Sequence, residues 1–235
     1  MAEPTLGHNP FEAEALAAGY DAWFKTPLGA AVDRLERALI GRLAQPRPGE
    51  RALDVGTGTG HYAGWLARGG LTVTGLDSSA AMLNVARAKG SDARGAPLWV
   101  LGDAAHLPYA DGAFDLVLSV TALEFMPAPE RALDEMWRVT ASGGRLVVAV
   151  LNADSAFGRA YLAQARQEET PFRHAQLYMA ATFLRMLGRY GKVRWNSSVF
   201  FWPTRASLRG VDWLERLGRT VARRHGALLV GRVDK

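Results

Sequence analysis

A doubly wound α/β fold around one mostly parallel sheet is what this sequence predicts, on three observations. Short apolar runs alternate with helix-length segments, a glycine-rich turn follows the first run, and aspartates stand at the ends of the runs beside it. Alternation at this spacing is the pattern of βαβ units, whose strands need a crossover helix to run parallel.

The strand candidates are residues 51–55, 71–76, 98–101, 114–120 and 145–151, each bounded by Gly, Asp or Pro. Between them, residues 60–68, 79–89 and 129–140 read as helices. Beyond Leu151 the order changes to helices over 155–169 and 177–189, a strand over 192–202, a helix over 204–224 and a strand over 227–233. If the last two strands pair as a long-looped antiparallel hairpin, they close one edge of the sheet. The first fifty residues read as helices over 11–24 and 28–43, followed by the linker Gln45-Pro46-Arg47-Pro48-Gly49. Such a segment is free to lie across the carboxyl ends of the strands.

The length of 235 residues fits one α/β domain, which commonly takes about 200–250. Its expected parts are an N-terminal helical cap (1–48), a core (49–151), a substrate-side insertion (152–176) and the C-terminal part of the sheet (177–235). Hydrophobic residues make up 49%, yet no stretch reaches the roughly 18 uninterrupted apolar residues of a membrane span. The first ten residues lack a basic region followed by an apolar one, so a soluble, unexported, cytoplasmic protein is expected. With no cysteine, disulfides, thiolate metal sites and covalent thiol catalysis are excluded, and no metal site is expected. The net charge of +5 is uneven: residues 185–235 carry twelve Lys/Arg against three Asp/Glu. A solvated basic face explains this surplus most simply, and nucleic acid, anionic lipid or an acidic small molecule are the functional alternatives.

The segment Leu53-Asp54-Val55-Gly56-Thr57-Gly58-Thr59-Gly60 follows the first strand and opens a helix. Its glycines let the backbone turn sharply and approach a ligand, and the free N–H groups of the new helix favour a carboxylate or phosphate. Gly58-Thr59-Gly60-His61-Tyr62-Ala63 also satisfies the G-x-G-x-x-A form of a dinucleotide fingerprint. The acids separate the two readings. Asp77, seventeen residues beyond Gly60, suits a ribose diol under either. Asp54, at the mouth of the first strand, suits an ammonium group and would repel a pyrophosphate. Asp103, after the third strand, is placed to accept from an adenine amino group. Taken singly, Asp54 or Asp103 reads equally well as a turn or capping residue; with the glycine loop they fit a ligand carrying an amine, a ribose and an exocyclic NH2.

In order and spacing, LDVGTGTGHYA, GLDSSAAML and GDAAHLPYADGAFDLVLSVTALEF resemble the first four motifs of the class I S-adenosylmethionine-dependent methyltransferases. The likeness is to the small-molecule branch that includes ubiquinone/menaquinone-biosynthesis enzymes (type 11), and it spans residues 51–151. It implies a seven-stranded sheet with an antiparallel last strand and S-adenosylmethionine as cofactor. By position, it implies that Gly56, Gly58 and Gly60, with Thr57, contact the methionyl part and Asp77, with Ser78, the ribose. Met82 then meets an adenine face, Asp103 and Ala104 the adenine edge, and Thr121 borders both cofactor and acceptor. The stretch Gly19-Tyr20-Asp21-Ala22-Trp23-Phe24 looks like the segment that folds over the cofactor in related enzymes. Tyr20 could there donate to the methionyl carboxylate, and Trp23 or Phe24 could shield the sulfonium, although aromatics at this spacing also serve as core.

Methyl transfer from a sulfonium is an in-line displacement in which the protein chiefly aligns the acceptor and excludes water. A hydroxyl acceptor gains from a general base, for which His61, Glu124, His106 and His174 are candidates and none is decisive. No Asn-Pro-Pro-Tyr-like tetrad follows the fourth strand, where Thr121-Ala122-Leu123-Glu124 stands. That favours a small-molecule acceptor over nucleic acid or a protein amide. Ala156, Phe157, Tyr161 and Phe172 could line an apolar pocket. The 204–224 helix is expected to bury Leu208, Val211, Leu214, Leu217 and Val221 and to present Arg205, Arg209, Arg216, Arg219 and Arg223, a pattern that also fits peripheral contact with anionic lipid. The competing functions are an RNA methyltransferase, a non-catalytic cofactor-binding or scaffolding member of the fold, and a nicotinamide-dependent oxidoreductase.

Overall fold

The computed structural model describes residues 10–90, 95–204 and 210–235. Seven strands, β1 (Arg51–Val55), β2 (Thr72–Asp77), β3 (Leu98–Leu101), β4 (Phe114–Val120), β5 (Thr140–Leu151), β6 (Arg194–Ser198) and β7 (Leu228–Asp234), form one sheet in the order β3-β2-β1-β4-β5-β7-β6. The first five run parallel. β7 inserts antiparallel between β5 and β6, so the last two strands pair as expected and β6 takes the edge.

Alternation along the strands splits the core into two layers, because successive side chains point to opposite faces. Leu53, Val55, Val117, Leu146, Val148 and Leu229 pack with α5 (Pro129–Val139) and α7 (Ala180–Leu187). Ala52, Leu116, Leu118, Val147, Ala149 and Val230 face α2 (Pro27–Ala44) and α3 (His61–Arg68). Buried on both faces, these strands read as continuous apolar runs. A third cluster joins Val32 and Leu35 of α2 to Phe157 of α6 (Ala156–Ala165), Phe201 and Val211. Capping explains where several helices begin: Thr26 accepts from Gly29 N at 2.9 Å, Ser79 from Met82 N at 3.1 Å to start α4 (Ala80–Ala88), and Ser155 from Gly158 N at 2.8 Å.

Three expectations change. The 11–24 helix is broken into a 3-10 turn (Pro10–Glu12), α1 (Glu14–Tyr20) and a second 3-10 turn (Trp23–Lys25). The turn after α1 brings Asp21 to Thr59 Oγ1 at 2.7 Å and to Lys89, and that ties the segment over the glycine loop. The strand expected over 192–202 ends at Ser198, because Val199 adopts φ 67° and donates its N–H to Glu215 at 2.9 Å. The last helix, α8, runs over Val211–Val221, and Arg205, Leu208 and Arg209 lie outside the described residues. Its register also differs: Val211, Glu215 and Gly218 face inward, while Leu217 and Val221 are exposed with Trp213. The ring of Phe200 occupies the space a side chain at Gly218 would need, at 2.1 Å from an added Cβ. That close approach sets the rotation of α8.

Candidate active site

The three glycines after β1 all have left-handed backbones, with φ 73° at Gly56, 53° at Gly58 and 78° at Gly60. They differ in what a side chain would meet. An added Cβ would sit 2.3 Å from Ala122 Cβ at Gly56 and 2.4 Å from the Trp99 ring at Gly60, but would meet nothing within 4 Å at Gly58. Gly56 and Gly60 are therefore required by packing. Gly58 leaves open space beside the backbone.

Asp77 fastens this loop to the tip of β2: its Oδ2 accepts from Gly58 N at 2.7 Å and its Oδ1 from Ser79 N at 2.8 Å. Burial raises its pKa even so, against the pull of the Ser79, Gly58 and Ser78 amides. Asp54 is buried, accepts from Thr57 Oγ1 at 2.6 Å and is pushed up to about 6, chiefly by desolvation. Asp103 differs. Its partial burial favours the neutral form, but Ala105 N and His106 Nδ1, each at 2.9 Å, outweigh that and hold it below the usual range. Thr121, just past β4, has φ 48°, a strained value for a β-branched residue and one that tends to occur at functional positions.

These elements enclose a cavity of about 970 Å³ over the carboxyl ends of the strands. Tyr20, Asp54, Gly56, Thr57, Gly58, Asp77, Ser78, Met82, Asp103, Ala104 and Thr121 all line it. Gly60 does not; its conformation serves the start of α3 against Trp99. Trp23, Phe24, Phe157, Tyr161 and Phe172 complete an aromatic wall, with Tyr161 and Phe172 stacked at 4.2 Å. Ala156 is not part of that wall.

Of the four candidate bases, only His61 borders this cavity. Its ring stacks on Phe24 at 4.0 Å, and its Nε2 lies 2.6 Å from Asp33 Oδ1 and 2.7 Å from Arg37 Nη2. That nitrogen is committed to joining α3 to α2, and the ring face to the N-terminal segment. Glu124 and His174 line a smaller neighbouring cavity of about 210 Å³ instead. Glu124 accepts from Leu151 N through Oε1, leaves Oε2 without a hydrogen-bond partner, and is pushed up to about 7 by burial. His106 is held by Asp103.

The residue that the sequence reading missed is Glu36. It lies on the inward face of α2 with Val32, Leu35 and Leu39, is 8% exposed, and lines the large cavity. Tyr62 Oη donates to its carboxylate at 3.3 Å, and burial followed by the charge of Asp33 pushes it up to about 8. An acid on an otherwise apolar helical stripe was the available signal. Among the described residues no lysine or arginine lines the cavity, whereas Glu36, Asp54, Asp77 and Asp103 all do. The chamber is suited to a cation at its strand-tip end and is hostile to phosphates.

The strand order and the crevice at the carboxyl ends of the strands are those of a Rossmann-like fold. The chain matches the family model described as a methyltransferase domain over residues 53–148. It is 37% identical over 153 residues to a demethylmenaquinone methyltransferase of Renibacterium salmoninarum, covering 63% of this chain and 62% of that protein. It is also 41% identical over 128 residues to the methyltransferase GfsG of Streptomyces halstedii, covering 52% of this chain and 45% of that one. The chain thus spans about half to three-fifths of the length of these curated relatives. The crystal structure of a SAM-dependent methyltransferase from Thermotoga maritima superposes with a TM-score of 0.68 at 24% identity, over 93% of this chain and 96% of that one, and shares its fold.

Proposed function

We propose that this protein is a cytoplasmic enzyme that binds S-adenosylmethionine in the strand-tip crevice and methylates a small, largely apolar molecule held under the aromatic wall. The observation that carries the reading is the charge of the cavity: acids at neighbouring strand tips and, among the described residues, no lysine or arginine in its lining. A pyrophosphate placed there would meet Asp54 and Asp77 without a counter-charge, whereas an ammonium and a sulfonium would be stabilised.

In this reading Asp54 faces the methionyl ammonium and Asp77, with Ser78, takes the ribose hydroxyls. Met82 covers the adenine, Asp103 and Ala104 hold its edge, and the backbone at Gly56, Thr57 and Gly58 lies along the methionyl part. Tyr20, brought over the loop by the Asp21–Thr59 contact, reaches the carboxylate. Thr121 borders the reacting centre. When bound, the cofactor supplies a methyl group already activated on sulfur. The chain's work is then to align the acceptor and keep water out, which can account for roughly 7–11 kcal/mol of the barrier. Demethylmenaquinone, the acceptor named for one relative, is the kind of apolar ring system the wall suits.

Titration calorimetry with S-adenosylmethionine, S-adenosylhomocysteine, NAD and NADP tests this assignment. Binding of the two adenosyl compounds alone is expected; binding of a nicotinamide cofactor alone would overturn it.

A further inference from the structure

The acids at the strand tips fit the cofactor's amine, ribose and adenine. Glu36 has no such explanation. It sits on α2 and not at a strand tip, and the groups that act on it come from α1, α2, α3, α6, α8 and the turn after β4. Tyr62 of α3 donates to it, and Asp33 on its own helix is occupied by His61 and Arg37. Tyr20 of α1 and Tyr161 of α6 are each influenced by its charge, as it is by Glu124 and by Glu215 of α8, the latter paired with Arg219. Among the described residues no cation balances Glu36. A carboxyl buried without a charge partner in an aromatic chamber is costly unless a ligand completes it.

We propose that Glu36 marks the acceptor subsite, that the acceptor is an uncharged, mainly aromatic molecule bearing a hydroxyl group, and that Glu36 takes the proton from that hydroxyl during transfer. This rests on the methyl-transfer reading above. As the acceptor oxygen forms its bond to the methyl carbon, the carbon–sulfur bond breaks and its electron pair stays on sulfur. The hydroxyl proton passes to Glu36 Oε1. The products are a methyl ether, neutral S-adenosylhomocysteine and a protonated Glu36, which returns its proton to water as the ether leaves. Tyr62 stays hydrogen-bonded to Oε2 and orients the carboxylate. The same chamber rejects acids, because a carboxylate or phosphate on the acceptor would face Glu36 with no basic side chain from the described residues to balance it.

The test compares the wild-type chain with Glu36→Gln, using 2-naphthol, 2-naphthoate and 2-methoxynaphthalene as probes and calorimetry with S-adenosylhomocysteine as the control for folding and cofactor binding. Affinity for S-adenosylhomocysteine should change less than twofold. In the wild type, kcat/KM for 2-naphthol should rise with pH through the ionisation of Glu36 and then level. In Glu36→Gln that limb should vanish and kcat should fall about 100-fold or more, the range a positioned base supplies. Independently of turnover, 2-naphthol should bind at least tenfold more weakly to Glu36→Gln, 2-methoxynaphthalene equally to both proteins, and 2-naphthoate to neither. Unchanged 2-naphthol affinity, a retained pH limb, or preference for 2-naphthoate would each overturn the proposal. If neither protein turns over 2-naphthol but its affinity still depends on Glu36, the subsite stands and it is the proton transfer and the methyl-transfer reading that fail.

Discussion

Replacing Glu36 by Gln should make the protein more stable at alkaline pH and leave it nearly unchanged in acid. The sign follows from burial. The carboxyl ionises near 4.5 when free and at about 8 in the folded chain, so the folded state prefers the proton. Its stabilising contribution is complete below about pH 4.5 and is lost as pH rises through 8, where folding must hold an unpaired carboxylate in the cavity wall. A gap of about 3.5 pH units at 1.36 kcal/mol each sets a ceiling near 5 kcal/mol, and solvation by cavity water brings the expected value to about 3–5. For a chain of this size 1 kcal/mol corresponds to roughly 2–4 °C in Tm. Glutamine keeps the acceptor for Tyr62 Oη and cannot ionise. Differential scanning calorimetry of both proteins at pH 5, 7 and 9 reads the effect. Asp54, Asp77 and Glu124 are also raised by burial, but they titrate in both proteins and cancel in the difference. A Tm gap within about 2 °C at pH 5 that widens to roughly 6–20 °C at pH 9 is expected. Parallel curves would show that Glu36 is solvated or paired, and its place in the cavity would be wrong.

Other perturbations separate the remaining parts of the site. Asp77→Ala should weaken S-adenosylhomocysteine binding by about 1.5–3 kcal/mol, from the loss of charge-assisted hydrogen bonds to the ribose and of the Gly58 tether; unchanged affinity by calorimetry would misplace the ribose. Gly58→Ala should abolish cofactor binding at a folding cost of only about 1–2 kcal/mol, since the new methyl meets open space. Gly60→Ala should instead unfold at markedly lower urea, because its methyl strikes the Trp99 ring, and equal stability losses in the two would refute the distinction. The outward face of α8, with Trp213, Leu217 and Val221 beside Arg216, should bind vesicles containing phosphatidylglycerol, salt-dependently and not those of phosphatidylcholine alone. A Trp213→Ser, Val221→Ser double variant that co-sediments as well as the wild type would assign that face to solvent.

The central parallel strands were legible because they are buried on both faces and so are mostly apolar, and the glycine loop because a tight turn at a strand end leaves few residue choices. The strand-tip aspartates were legible through their position alone. What escaped the reading depends on contacts made across the chain. The end of β6 at Val199 is decided by a carboxylate sixteen residues later, Glu215, and the rotation of α8 by Phe200 lying on Gly218. His61 looked available beside the glycine loop, but Asp33 and Arg37, a turn apart on α2, occupy it. Glu124 stood at the expected strand end, yet its carboxylate turns back to the amide of Leu151. Glu36 was the reverse case: its identity breaks the apolar period of α2, and only the folded chain shows that the break opens into a cavity.

A crystal of the protein grown with S-adenosylhomocysteine tests the whole account most directly. Density for the ribose within hydrogen-bonding distance of Asp77, with the amino group turned toward Asp54 and the sulfur facing the chamber walled by Glu36 and Tyr161, is the predicted result. An empty crevice, or a ligand seated with its sulfur away from that chamber, would contradict it.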